Sequence, residues 1–66
     1  MERLDFALHQ LGLYQPMLTD RQFRTVAQSI QRGAALAERG KDAKLVEVQA
    51  DRAIADLCAF VHLNMR

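Results

Sequence analysis

Residues 39–44 read Arg39-Gly40-Lys41-Asp42-Ala43-Lys44, and this stretch decides the fold. Gly40 suits the left-handed position just after a helix, and Asp42 is a good N-cap for the next helix. Continuing the heptad of the preceding segment leads from apolar residues to a lysine, through Phe23, Ile30, Ala37 and Lys44. Because the apolar stripe loses its phase at Gly40, an antiparallel helical hairpin is favoured over one continuous helix from 19 to 64.

The arm before the turn begins with a strong helix-start signal. Thr19 and Gln22 have the spacing of a capping box, and Leu18 and Phe23 that of a hydrophobic staple. We predict a helix over 19–39 with an apolar stripe formed by Phe23, Val26, Ala27, Ile30, Ala34 and Ala37. Within it, Gly33 is either a point of close approach by a neighbouring helix or a residue that the helix simply tolerates.

The arm after the turn is predicted to be helical over 43–64. Its core stripe comprises Val46, Ala50, Ala53, Leu57 and Phe60. Residues 53–63 are apolar on nearly every side except at Asp56 and His62, and a helix that is apolar all round is buried all round. These apolar residues exceed what a two-helix core needs, so we predict that a second chain binds here. The residues expected to supply both the core and the partner surface are Ile54, Leu57, Phe60, Val61 and Leu63.

A shorter helix is predicted over 2–12. Its stripe is Leu4, Leu8 and Leu11, and Gly12 is the expected terminator. Pro16 disfavours helix at the residue before it, so the chain should change direction there. The predicted fold class is all-α: a single domain, 1–66, with a short N-terminal helix followed by an antiparallel helical hairpin.

Length and composition narrow the class of protein. A chain of 66 residues, half of them hydrophobic but without tryptophan, builds a marginal core and is expected to gain stability from a partner. The longest apolar run, 57–61, is far below the roughly 20 residues of a membrane span. The N-terminus has no apolar segment typical of a signal peptide, and the lone Cys58 suits a reducing compartment, so a cytoplasmic location without membrane contact is expected.

Cys58 and His62 are the strongest candidates in the sequence for catalysis or metal binding. Their i, i+4 spacing suits a thiolate–imidazole pair or half of a metal site. No third ligand or orienting acid follows nearby in sequence, so we favour a structural role, with Cys58 as a small buried residue. No phosphate-binding loop or nucleophile elbow is present. We therefore predict no catalytic residue, no metal, no cofactor and no small-molecule substrate.

The second helix also carries a basic face. Arg21, Arg24 and Arg32 could contact nucleic-acid phosphates. The net charge of +1 is small, and in antiparallel register Arg24 should approach Asp56 and Arg32 should approach Asp51. A solvated face is therefore favoured, with a small phage- or plasmid-type regulator that binds nucleic acid, or blocks a host protein, as the alternative.

Three stretches carry a family resemblance: Leu4-Asp5-x-x-Leu8-His9-Gln10, the turn at 39–44, and Arg52-Ala53-Ile54 leading to Ala59-Phe60-Val61-His62. Together they span most of the chain, which resembles the small co-chaperones of the type III secretion needle subunit. The resemblance implies a cytosolic protein that binds and stabilises a larger tetratricopeptide-type, helical-repeat chaperone. Together the two would keep the needle subunit from polymerising prematurely. In isolation, a homodimer using the same apolar strip is expected.

Overall fold

The computed structural model describes residues 2–40 and 42–65. These residues form three α-helices, α1 (Glu2–Tyr14), α2 (Asp20–Glu38) and α3 (Ala43–Asn64), and a 3-10 turn at Gln15–Met17. No strand occurs within the described ranges. The predicted all-α class, an N-terminal helix followed by an antiparallel hairpin, is confirmed.

The turn between α2 and α3 has the predicted backbone and cap. Gly40 has a φ of +69°, a conformation that residues with a Cβ rarely adopt. On the far side, the Asp42 side chain accepts a hydrogen bond of 2.9 Å from the backbone N–H of Lys44. Lys41, part of the predicted turn, lies outside the described residues. Local chemistry on both sides of position 41 therefore ends one helix and starts the next.

The start of α2 is a complete capping box. The backbone N–H of Gln22 donates to Thr19 Oγ1 at 3.1 Å, and the backbone N–H of Thr19 donates to Gln22 Oε1 at 3.0 Å. Leu18 and Phe23, the predicted staple residues, are both half-buried against the core. At its other end α2 finishes at Glu38, one residue before the predicted Arg39, which is the C-cap.

The first helix is longer than predicted. Gly12 does not end α1, which continues to Tyr14, because a lone glycine in open space weakens a helix without stopping it. Pro16 is the second residue of the 3-10 turn, where its missing N–H leaves no helical hydrogen bond unmade. Leu8 is also displaced from its predicted role, since its side chain is 58% exposed and Ala7 is buried instead.

The helices pack up-down-up. Near the start of α1, Arg3 Nη1 donates to Asp51 Oδ2 of α3 at 3.0 Å, and just after α1 ends, the Met17 carbonyl accepts from Asn64 Nδ2 at 2.7 Å. These contacts at opposite ends of α1 place it parallel to the C-terminal part of α3. Because α1 has only 13 residues, about 20 Å, it leaves the part of the hairpin nearest the turn uncovered.

A single core joins all three helices. Its buried apolar residues are Leu4, Ala7, Leu11, Val26, Ile30, Val46, Ala50, Ala53 and Leu57. The face that α2 buries is rotated from the predicted stripe: Ala34 is exposed, whereas Ser29 and Gly33 are buried. The rotation lets α2 face α1 and α3 at once. Gly33 is the point of close approach that the sequence suggested, since a Cβ there would lie 3.0 Å from Leu4 Cδ2.

The elongated shape leaves much surface exposed. The molecule measures 40 × 16 × 14 Å. Its accessible surface is 4843 Å², against about 4,200 Å² for a compact monomeric protein of the same mass. Several large apolar side chains are part of this exposed surface, and they form candidate interaction surfaces.

Candidate protein-interaction surfaces

The five residues predicted to contact a partner do not share one surface. Leu57 is 3% exposed and belongs to the core, and Phe60 is half-buried against that core. Ile54 and Val61 line a groove between α1 and α3. Leu63 is 56% exposed on another side of α3. The apolar residues of α3 therefore divide between the interior and two separate outer surfaces.

The α1–α3 groove is a concave surface between two parallel helices. It encloses about 320 Å³ and is lined by Phe6, Gln10, Tyr14, Ile54, Leu57, Cys58 and Val61. Three residues spaced four apart, Phe6, Gln10 and Tyr14, form the α1 wall. The α3 wall repeats at intervals of four and three, and buried Leu57 forms the floor. Parallel helices thus present two matched rows of side chains to the same cleft.

Phe6 and Tyr14 were not predicted as site residues. Phe6 is 52% exposed and Tyr14 is 38% exposed, although aromatic side chains commonly contribute much of a protein's buried apolar area. The sequence feature that could have indicated this role is that neither aromatic residue belongs to the apolar stripe of Leu4, Leu8 and Leu11. An aromatic residue off the core stripe of a short amphipathic helix indicates a second, outward use.

One end of the groove is bordered by charge. Arg3 Nη1 lies 3.0 Å from Asp51 Oδ2 and 3.8 Å from Glu47 Oε2, with all three side chains more than half exposed. The predicted Arg32–Asp51 pair is therefore wrong: α1 lies beside Asp51 and supplies its arginine. Exposed pairs of this kind contribute about 0–1 kcal/mol to stability.

Cys58 and His62 are both exposed, so the prediction of a buried Cys58 is wrong. Cys58 faces the groove because α1 covers Leu57 but leaves the adjacent side of α3 open. Within residues 2–40 and 42–65, no group of three His, Cys, Asp or Glu side chains is placed to hold a metal ion.

The basic face of α2 is fully outward. Arg21, Arg24 and Arg32 are exposed on the side opposite the buried Val26 and Ile30. Across the described part of the chain, none of the three forms an ion pair, so the predicted Arg24–Asp56 pair is absent as well. All three guanidinium groups therefore lie on the solvent-exposed side of α2.

A second apolar surface, the outer face of α3, lies away from the groove. It consists of six exposed residues spaced three or four apart, Leu45, Val48, Arg52, Ala55, Ala59 and Leu63. Leu45 is 50% exposed and Val48 is 58% exposed. This row runs along the helix from beside the turn to the C-terminal end of α3.

No protein-family model, curated protein or solved structure matches this chain. None of the helices in the described ranges has the length and apolarity needed to cross a lipid bilayer.

Proposed function

We propose that this chain is a non-catalytic protein-interaction module that binds an amphipathic helix of a larger helical-repeat protein in the α1–α3 groove. The carrying observation is the position of Phe6, half exposed on one wall of an apolar cleft whose other wall is formed by Ile54 and Val61. Aromatic residues beside a concave apolar site are the usual anchors of protein interfaces.

The dimensions of the groove suit a helix. From Phe6 to Tyr14 the α1 wall rises about 12 Å, which matches two to three turns of a bound helix and side chains at i, i+4 and i+7. Its lining is almost wholly apolar, with Gln10 as the polar exception. A partner helix that places leucine-sized side chains in this cleft would cover the exposed part of Phe6.

The resemblance to the type III secretion co-chaperones suggests what kind of protein this partner is. In a co-chaperone of the type III secretion needle subunit, the occupant would be a helix of the larger helical-repeat chaperone. Through that chaperone, the module would act on the needle subunit before export. On this proposal Ile54 and Val61 are direct contacts, whereas Leu57 supports the groove from below.

A paired substitution tests the proposal. After co-purification of the partner from a native lysate, its affinity is measured by calorimetry for the wild type, Phe6→Ser and the matched control Leu8→Ser. Leu8 has similar exposure, 58%, but does not line the groove. We expect Phe6→Ser to weaken binding by at least about tenfold and Leu8→Ser to have little effect. Absence of any stoichiometric partner, or equal binding by both variants, would refute the proposal.

Nucleic-acid binding is the second candidate function, favoured by the lack of ion pairs at Arg21, Arg24 and Arg32 in the described chain. Binding to random RNA and DNA would be titrated at increasing salt concentration. If phosphates are the ligand, replacing all three arginines with glutamine lowers the salt dependence by about 0.9 per lost contact on duplex DNA. Arg3→Gln, on α1, is the control. No binding at low salt eliminates this candidate.

A further inference from the structure

The outer face of α3 has the periodicity of a helix–helix interface. Its members recur every three or four residues between Leu45 and Leu63, which places them in one row along the helix. The row is distinct from the core residues of α3 and from the α1–α3 groove. The three largest apolar members, Leu45, Val48 and Leu63, are 50%, 58% and 56% exposed.

The row can pack against a second copy of itself. Large side chains stand towards its two ends, and the small residues Ala55 and Ala59 lie between Arg52 and Leu63. If two copies of α3 pack antiparallel through this row, with the two-fold axis level with residue 54 along the helix, Leu45 of one copy lies level with Leu63 of the other. Val48 then lies level with residue 60 of the second copy, one residue along from the exposed Ala59, so a larger side chain adjoins a smaller one.

The charges favour the same register. Arg52 and Asp56 stand two residues on either side of Ile54, so in the antiparallel pair Arg52 of each copy lies level with Asp56 of the other. A parallel pair in register would instead bring arginine against arginine, which costs energy. Neither Arg52 nor Asp56 has an ion pair among the described residues of the single chain. Arg52 is exposed in the row, and Asp56 is half-buried beside it, so a partner can pair with both charges.

From these observations we infer that a second copy of this chain packs antiparallel on the outer face of α3. The interface is isologous, as expected of a two-fold dimer, and contains two symmetric Arg52–Asp56 pairs. It spans about five turns of one helix, which makes it a small interface, and we expect weak, reversible dimerisation. The groove remains open in the dimer, which would present two copies of it.

Sedimentation equilibrium over the micromolar range tests the position of the interface. The wild type should be a reversible dimer. Ala59→Arg, at an exposed site in the row, should be monomeric at the same concentrations, whereas Ala35→Arg, at an exposed site on α2, should dimerise like the wild type. Circular dichroism establishes that both variants are folded. A monomeric wild type at high micromolar concentration, or a dimer that survives Ala59→Arg, overturns the inference.

Charge reversal tests the register. Arg52→Glu and Asp56→Arg, each alone, place like charges level with one another across the two-fold axis and should raise the dimer dissociation constant at least about tenfold. The double variant restores opposite charges and should recover the wild-type constant. Failure of the double variant to recover would exclude the antiparallel register. A dimer lost in Phe6→Ser but kept in Ala59→Arg would place the interface in the groove and overturn the inference.

Discussion

Leu4 occupies the space that a side chain at Gly33 would need. A Cβ on Gly33 would lie 3.0 Å from Leu4 Cδ2 and 3.3 Å from Gln49 Cβ, closer than ordinary van der Waals contact. Because Gly33 of α2 has no side chain, α1 can pack against it on one side and α3 on the other. The packing of three helices against one another depends on this position.

Gly33→Ala is therefore expected to destabilise the protein by about 1 kcal/mol. Alanine improves helix propensity by up to about 1 kcal/mol, but overpacking a core costs about 1–3 kcal/mol. Leu4 can shift by rotation, whereas Gln49 Cβ is fixed to the backbone of α3. Urea denaturation followed by circular dichroism measures the effect. In a Leu4→Ala background the same change should lose most of its cost, and a stabilising Gly33→Ala in the wild type would contradict this account.

The other two glycines should respond in opposite directions to alanine. Gly12 lies within α1 with nothing within 4 Å of its Cβ position, so Gly12→Ala should stabilise by up to about 1 kcal/mol. Gly40 also has open space, but its φ is +69°, so Gly40→Ala should destabilise by about 1 kcal/mol through backbone strain alone. Thermal denaturation of both variants checks the contrast. Equal shifts in Tm would mean that φ at position 40 is not decisive.

Asn64 of α3 forms hydrogen bonds to the start of α2 and to the residues before it, at the end of the hairpin opposite the turn. Its Nδ2 donates to the Met17 carbonyl at 2.7 Å and to Gln22 Oε1 at 2.8 Å, and Gln22 Oε1 already accepts from the Thr19 backbone. Asn64→Ala should cost about 1 kcal/mol by removing these bonds.

Asn64→Asp should cost more than Asn64→Ala, because a carboxylate would face two acceptors with no hydrogen to donate. Rotating the Gln22 amide to compensate would break the capping box. Amide hydrogen exchange in the last turn of α3 reports the loss locally, with exposed Gln28→Ala as the control. An aspartate variant as stable as the wild type would show that the Asn64 donor is unimportant.

Cys58 is exposed in the groove, so it should react with a thiol reagent in the folded protein without denaturant. Absorbance on reaction with Ellman's reagent measures this, and one equivalent per chain is expected. On the proposed function, a saturating partner should slow the reaction strongly, while dimerisation through the outer face of α3 should leave it unchanged. A thiol that reacts only after unfolding would mean that the groove is closed.

The errors in the sequence predictions have a common origin. Arg32 was assigned to Asp51 because a two-helix register contains no Arg3, and Leu8 was assigned to the core because spacing cannot distinguish it from Ala7. Cys58 was expected to be buried because spacing along α3 cannot show that α1 covers Leu57 and leaves Cys58 exposed. Each prediction needed the position of α1 across the hairpin, which no local pattern contains.

The sequence by itself determined where the helices of the hairpin begin and end. Thr19 with Gln22, Gly40, and Asp42 act through hydrogen bonds and backbone angles within four residues, so their effects can be read from spacing alone. Only the tertiary structure decided which sides of the helices are buried. The parallel docking of α1 depends on the fit of Leu4 against Gly33, a contact between separate segments. That fit divided the apolar residues of α3 among the core, the groove and the outer face.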